Sequence, residues 1–222
     1  MFRRDGKHTS LGDGPAIAVY QGALDMRIRS ERWTDINDGF YRTLSFSPAA
    51  AHVRKSSLVE FEIDGILTAL VMVQLLAEPY PVNPFLVYAA FFSAKEPLEF
   101  LMDPTSLNDD YERDHLLAMI PDKETRRALA ELFKLDKKKT VSALQASRHP
   151  LYRRAFEDPI GAQATFFNDV RDDDQHDNIR RQLFNVLLIG HDKPWKHPHF
   201  IAFSHGLRLG LLKVKNIVKV SL

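Results

Sequence analysis

The longest apolar stretch of the chain runs from Gly65 to Ala77, with only Thr68 and Gln74 polar. A membrane span needs roughly 20 apolar residues, so this length suits a helix buried in a protein core. Glu78-Pro79-Tyr80-Pro81 must end it, because proline lacks an N–H donor and disfavours a helical residue before it. Asn83-Pro84 then restarts a helix, with proline tolerated in the first turn and Phe85, Leu86, Tyr88, Ala89 and Phe92 forming an apolar face. The pattern over Leu58 to Met102 therefore predicts a central buried helical hairpin, which is a core and not an active site.

The flanking segments are read the same way. Residues 1–11 form a polar tail. Gly12-Asp13-Gly14-Pro15 reads as a turn into a helix, Asp13 accepting orphan N–H groups, with Ala16, Tyr20, Leu24 and Ile28 on one face. Trp33, Ile36, Phe40, Tyr41 and Leu44 follow with mixed spacing, and Ser47-Pro48 breaks the chain before a short alanine-rich piece, Ala49 to Val53. Beyond the loop opened by Asp103-Pro104, Asn108 or Asp109 caps a helix through Leu116, Leu117 and Ile120. Pro121 interrupts, Asp122 recaps, and Leu129, Leu132 and Phe133 continue an amphipathic helix to Leu135, with Asp136-Lys137-Lys138-Lys139 as its solvated end.

Residues 140–170 are less regular and carry Leu151, Tyr152, Phe156, Phe166 and Phe167. An acidic loop, Arg171 to Asp177, precedes a helix from Asn178 to Ile189 that Gly190 closes. Another helix begins at Pro198 and carries Phe200, Ile201, Phe203 and Leu207. From Leu212 to Val220 the alternation of Val214, Asn216, Val218 and Val220 with Lys213, Lys215, Ile217 and Lys219 predicts a strand. The expected class is α+β, mostly α-helical, with a short C-terminal strand. No internal repeat is apparent.

Composition adds mainly exclusions. The 222 residues suit one large domain or two small ones, and 45% apolar with 27% charged residues marks a globular chain. Thirty basic against 29 acidic residues leave a net charge of +1, no general reason to expect nucleic acid or an anionic membrane as partner. There is no cysteine, which excludes disulfides, thiolate zinc sites and cysteine nucleophiles. The first residues show charge without a following apolar h-region, so the chain reads as intracellular, cytoplasmic or nuclear.

Candidate chemistry is sparse. His191, His197, His199 and His205 fall close together, but without HExxH or comparable ligand spacing. Surface histidines in a loop are preferred to a metal site, and no cofactor is expected. Glu60, Glu62 and Asp64 read as carboxylates favouring the positive end of a helix. Asp172, Asp173 and Asp174 lack the glycine and glutamate of a calcium loop, and Gly12-x-Gly14-Pro15 follows no strand, so neither is a binding loop. There is no GxSxG elbow, and Arg148, Arg153 and Arg154 beside Tyr152 pair more simply with Glu157 and Asp158 than with nucleic acid.

The order of these features resembles the HECT domain of ubiquitin ligases, over approximately Gly12 to Leu211 and closest to divergent fungal members. Gly12-Asp13-Gly14-Pro15 with Tyr20 matches the opening turn and helix of the family's N-lobe, although Ala18-Val19 stand where an arginine–glutamate pair is usual. Asp64-Gly65-Ile66-Leu67-Thr68-Ala69-Leu70 matches its glycine-bearing helix, and Pro79 to Pro84 its proline-rich bend. Leu98-Glu99-Phe100-Leu101-Met102-Asp103-Pro104 and Phe200 to Leu207 match two later elements.

The resemblance implies that residues 12–222 form a partial N-lobe, with residues 136–182 as an inserted small subdomain. The lobe bearing the family's cysteine is not represented. Because thioester exchange requires a thiolate, the resemblance implies no catalytic residue here and no transfer by this chain alone. It implies a docking surface for a ubiquitin-conjugating enzyme, with Leu151, Tyr152, Phe156, Phe166 and Phe167 as candidates. The alternatives are a non-catalytic helical interaction module, or a metal enzyme built on the four histidines.

Overall fold

The computed structural model describes residues 14–46, 55–75, 79–92, 110–134 and 173–220. These are mostly helical, with one small two-stranded sheet, as an α+β, mostly α class requires. The tail, the Ala49–Val53 piece, the Asp103-Pro104 loop and residues 136–172 lie outside the described residues.

The first helix, α1 (Gly14–Ile28), buries Leu24 and Ile28 and rests Tyr20 against the core, while Val19 and Met26 stay exposed on its other side. It is followed by an antiparallel hairpin of β1 (Trp33–Ile36) and β2 (Tyr41–Leu44), with Trp33 opposite Leu44 and Ile36 opposite Tyr41. The mixed spacing noted in this segment hides the hairpin. Its turn is Asn37-Asp38-Gly39, three consecutive residues at φ of 55°, 56° and 78°. Asn, Asp and Gly are the residue types that enter the left-handed region most readily, so this tripeptide is the local signal for the turn.

The proline bend joins that sheet. Arg42 N donates to Pro81 O at 2.7 Å and Asn83 N to Arg42 O at 2.8 Å, a short parallel bridge between β2 and the Pro81–Asn83 segment. Asn83 then caps α3 (Pro84–Phe92), its side-chain oxygen accepting from Phe85 N at 3.0 Å. Helix α4 (Asp110–Ala118) leads to α5 (Lys123–Phe133), whose N-cap is Asp122, accepting from Glu124 N at 3.1 Å and Thr125 N at 2.8 Å. Leu129 and Leu132 are buried, and α5 packs against α6 (Asp173–Ile189).

Helix α6 starts within the stretch expected to be an acidic loop. Carboxylates near a helix N-terminus are favoured by the dipole, so an acidic run there continues a helix as readily as it forms a loop. Gly190 ends α6 at φ 91°, donating to Asn185 O and Val186 O, as expected of a left-handed C-terminal glycine. Two carbonyls of the last turn are taken by distant side chains: Thr43 Oγ1 donates to Ile189 O and Asn83 Nδ2 to Leu188 O, each at 2.6 Å. Those bonds fasten the sheet and the proline bend to the end of α6.

After a 3₁₀ turn (Pro194–Lys196) comes α7 (Pro198–Val220), 23 residues long. The strand expected over Leu212 to Val220 is instead the end of this helix. Leu211, Val214, Ile217 and Val218 also follow i, i+3, i+4 spacing, and the alternation alone does not separate the two states. No partner strand lies beside it among the described residues.

The core is organised by α7 lying on α2 (Lys55–Leu75). Phe61 meets His199, Glu62 meets Gly206, Gly65 meets Phe203 and Leu207, and Ala69 meets Gly210, so the two helices run parallel. The contact is backbone on backbone. A Cβ on Gly65 would lie 2.7 Å from Leu207 N, and one on Gly210 would lie 2.6 Å from Ala69 Cβ. A Cβ on Gly206 would overlap the carbonyl of Glu62. Small residues four apart on each helix, Gly65 with Ala69 and Gly206 with Gly210, permit this approach.

The central hairpin expected of α2 and α3 is therefore corrected. Both helices exist, but α3 packs chiefly on α7 and α6, and α2 on α7 and α1. Ser204 Oγ, donating to Ala90 O at 2.6 Å, pins α7 to α3. Each apolar helix finds its complement in a segment distant in sequence, which periodicity within one segment does not identify.

Candidate functional site

Two polar clusters lie against the α2–α7 pair. The first is centred on Asp64, which is 0% exposed. Asp64 lies in the third turn of α2 and meets Arg27 near the end of α1; the Arg27 Nε donates to Asp64 Oδ1. Trp33 Nε1 donates to Asp64 Oδ2 at 3.1 Å, and Arg32 Nε stands 3.4 Å from the same oxygen.

Arg27 also donates to the Glu60 carboxylate at 2.7 Å and to the Glu60 carbonyl at 2.9 Å. Burial works against its charge, but hydrogen bonds to Asp64 and Glu60 and their negative charges outweigh it and raise its pKa. The same contact, a hydrogen bond first and a charge second, lowers the pKa of Glu60. Glu60, Glu62 and Asp64 thus do not serve a helix dipole, since α2 begins at Lys55 and places them in its second and third turns. A buried carboxylate demands paired cations and donors, and Asp64 has both.

The second cluster holds three of the four histidines. Helix α7 begins at Pro198, so His197 is its N-cap and His199 its second residue. His197 Nδ1 accepts from His199 N at 3.2 Å, an imidazole doing what an Asn or Ser side chain usually does at that position. Its ring lies 4.5 Å from that of His199 and 5.4 Å from that of His191. Phe46, just after β2, packs at 4.8 Å from His191 and 5.2 Å from His197, and Phe61 of α2 stacks on His199 at 4.1 Å.

Ring-nitrogen contacts tie His191 and His199 to their neighbours. His191 Nδ1 lies 3.1 Å from Lys193 N and 3.2 Å from Asp192 Oδ1, between a donor and an acceptor. His199 Nδ1 lies 2.9 Å from the Ser45 carbonyl and must donate to it, leaving Nε2 bare. Burial lowers the pKa of His199 despite that bond, and burial likewise lowers that of His191 despite the neighbouring charge of Asp192. His197 and His199 are 5% and 7% exposed. The expectation of surface histidines in a loop is corrected for these two, because ring stacking on Phe46 and Phe61 draws them inside.

His205 belongs elsewhere. It is exposed on α7, with Nδ1 3.1 Å from Glu62 Oε1. Among the described residues no three or more His, Asp or Glu side chains are placed to hold a metal ion. The docking candidates Leu151, Tyr152, Phe156, Phe166 and Phe167 lie outside the described residues, as do Arg148, Arg153 and Arg154.

Sequence reasoning missed Asp64 as a hub, although an acidic residue directly before the apolar run that starts at Gly65 is itself a signal of a buried partner. It also missed Asn37, which is 0% exposed and whose amide nitrogen and oxygen have no hydrogen-bond partner among the described residues. Among the described residues no helix is long and apolar enough to cross a membrane. No family model matches the chain, and neither a curated protein nor a solved structure does.

Proposed function

We propose that the chain is a HECT N-lobe-like module that docks a ubiquitin-conjugating enzyme and does not itself transfer ubiquitin. One observation carries the reading. Asp64 to Leu70 and Phe200 to Leu207, two segments that bear the HECT resemblance and are remote in sequence, mate backbone to backbone at Gly65 and Gly206. Motifs related to the family by order alone are thereby parts of one packed unit, which supports an inherited scaffold. The lack of cysteine removes the thioester step on chemical grounds, because only a thiolate would accept ubiquitin in exchangeable form.

A second reading is a non-catalytic helical interaction module. It is favoured by where the reactive side chains are: Asp64 and the buried histidines bond to neighbouring elements and face the interior.

Titration of the purified chain with a panel of ubiquitin-charged conjugating enzymes separates the two. The docking reading expects saturable binding that Tyr152→Ala or Phe156→Ala abolishes, without discharge of the enzyme onto the chain. A folded chain that binds none of the panel removes the ubiquitin reading and leaves the interaction module.

A further inference from the structure

The neutral His197 ring caps α7 only because its Nδ1 is an acceptor. A proton there turns the acceptor into a donor facing the His199 N–H, and puts a cation at the positive end of a 23-residue helix. His199 and His191 stand within 5.4 Å of the same ring, so a charge on any one opposes a charge on the others. The three rings also join three parts of the molecule. His199 bonds the Ser45 carbonyl and stacks on Phe61 of α2, and His191 and His197 clasp Phe46.

The charged groups around the cluster do little to offset added protons. From the α6–α7 elbow, Asp192 lies 3.2 Å from His191 Nδ1, but Lys193 beside it carries the opposite charge, and Lys196 is exposed. From α6, Asn185 contributes an amide that holds the Asp192 carbonyl at 3.0 Å. The end of β2 offers the Ser45 carbonyl and the Phe46 ring. On α2, Phe61 faces the cluster, Asp64 is engaged by Arg27 and Arg32, and Glu62 is held by His205.

We propose that His191, His197 and His199 form a proton-operated latch. Neutral, they cap α7 and hold the end of β2 and the elbow from Gly190 to His197 against α2; on taking up protons they release the cap and open that elbow while the α2–α7 contact beyond it stays closed. The contact stays closed because Gly65, Ala69, Gly206 and Gly210 carry no titrating group. Histidine is suited to this, since its ordinary pKa lies near neutrality. The latch is independent of the ubiquitin reading.

The test is hydrogen–deuterium exchange of the full chain at about pH 7.5 and about pH 5.5, corrected for intrinsic exchange. Peptides spanning 190–203 should open several-fold more often at the lower pH, a larger rise than in peptides from α5. His197→Asn, which keeps a capping oxygen and cannot gain a proton in this range, should reduce that change to less than about twofold. An unchanged elbow, a rise of equal size throughout the chain, or an undiminished response in His197→Asn overturns the proposal. Should His197→Asn not fold, the imidazole proton resonances of the unaltered chain decide it: coupled titrations below the ordinary value that coincide with elbow opening support the latch. Independent titrations near 6.5 sink it.

Discussion

The Cα of Gly206 faces the carbonyl of Glu62 so closely that not even a methyl group fits between the two helices. The obstacle is backbone, which cannot rotate away as a side chain can. Gly206→Ala gains up to about 1 kcal/mol of helix propensity. It must nevertheless push α7 off α2, and overpacking of this kind costs about 1–3 kcal/mol or more. The net expectation is destabilisation, read as a lower urea midpoint. Gly22 has open space at its Cβ position, so Gly22→Ala on α1 is the control and should be neutral or stabilising. Equal behaviour of the two variants would mean that the α2–α7 contact is looser than described.

Asp64 joins α2 to Arg27, Arg32 and Trp33 from a fully buried position. Asp64→Asn preserves shape but leaves the guanidinium of Arg27 without its buried counter-ion. Breaking a buried pair by removing one partner costs about 3–5 kcal/mol, and Arg27's remaining bond to Glu60 reduces the loss toward the lower figure. Chemical denaturation measures it directly. A loss below about 1 kcal/mol, the range of a surface pair, would show that Asp64 is solvated.

The elements that could be read from the chain are those whose causes are local. Asp122 before Lys123, Asn83-Pro84 before Phe85, Gly190 after Ile189 and Pro198 after His197 mark helix ends by capping chemistry, and all four stand where expected. What pairs with what was not legible. The parallel seat of α7 on α2 depends on glycines in both helices matching across the whole chain, and no single window contains that match. The histidines illustrate the same limit. Their closeness in sequence is visible, but their burial comes from Phe46 and Phe61, contributed by segments far upstream.

Acid should weaken the protein in two stages. His191 and His199 have folded pKa values below the ordinary 6.5 because of burial. Between those values and 6.5 the unfolded chain binds more protons than the folded one, so stability is full above about pH 6.5 and falls as pH drops through that window. Glu60, held low by Arg27, adds stability that is present above its ordinary 4.5 and is lost as pH falls further. Urea midpoints measured across this range should decline first below about pH 6.5, and His199→Phe should flatten that first step. A profile level from pH 7.5 to pH 5 would contradict the buried neutral imidazoles.

Asn37 makes the opposite kind of prediction. Its amide is buried without a hydrogen-bond partner among the described residues, and its φ of 55° is one that glycine adopts freely. Asn37→Gly removes the unpaired polar group and keeps the turn, offset only by greater freedom of the unfolded chain. The expected change is within about 1 kcal/mol of zero, and stabilising if the buried amide penalty dominates. A loss above about 2 kcal/mol, read by thermal or urea denaturation, would show that the amide is engaged.

The seat of α7 on α2 has a consequence for how the chain is made. Glu62 and His205 touch across 143 residues of sequence, and the contact of Gly65 with Leu207 is similarly remote. As the chain leaves the ribosome, α2 emerges early with its small-residue groove uncovered, and its partner is synthesised much later. Contacts of such long range close slowly and leave apolar surface open to wrong associations in the interval. A nascent chain stalled before Pro198 should therefore be the species that chaperones hold longest, and completing α7 should be the step that releases it.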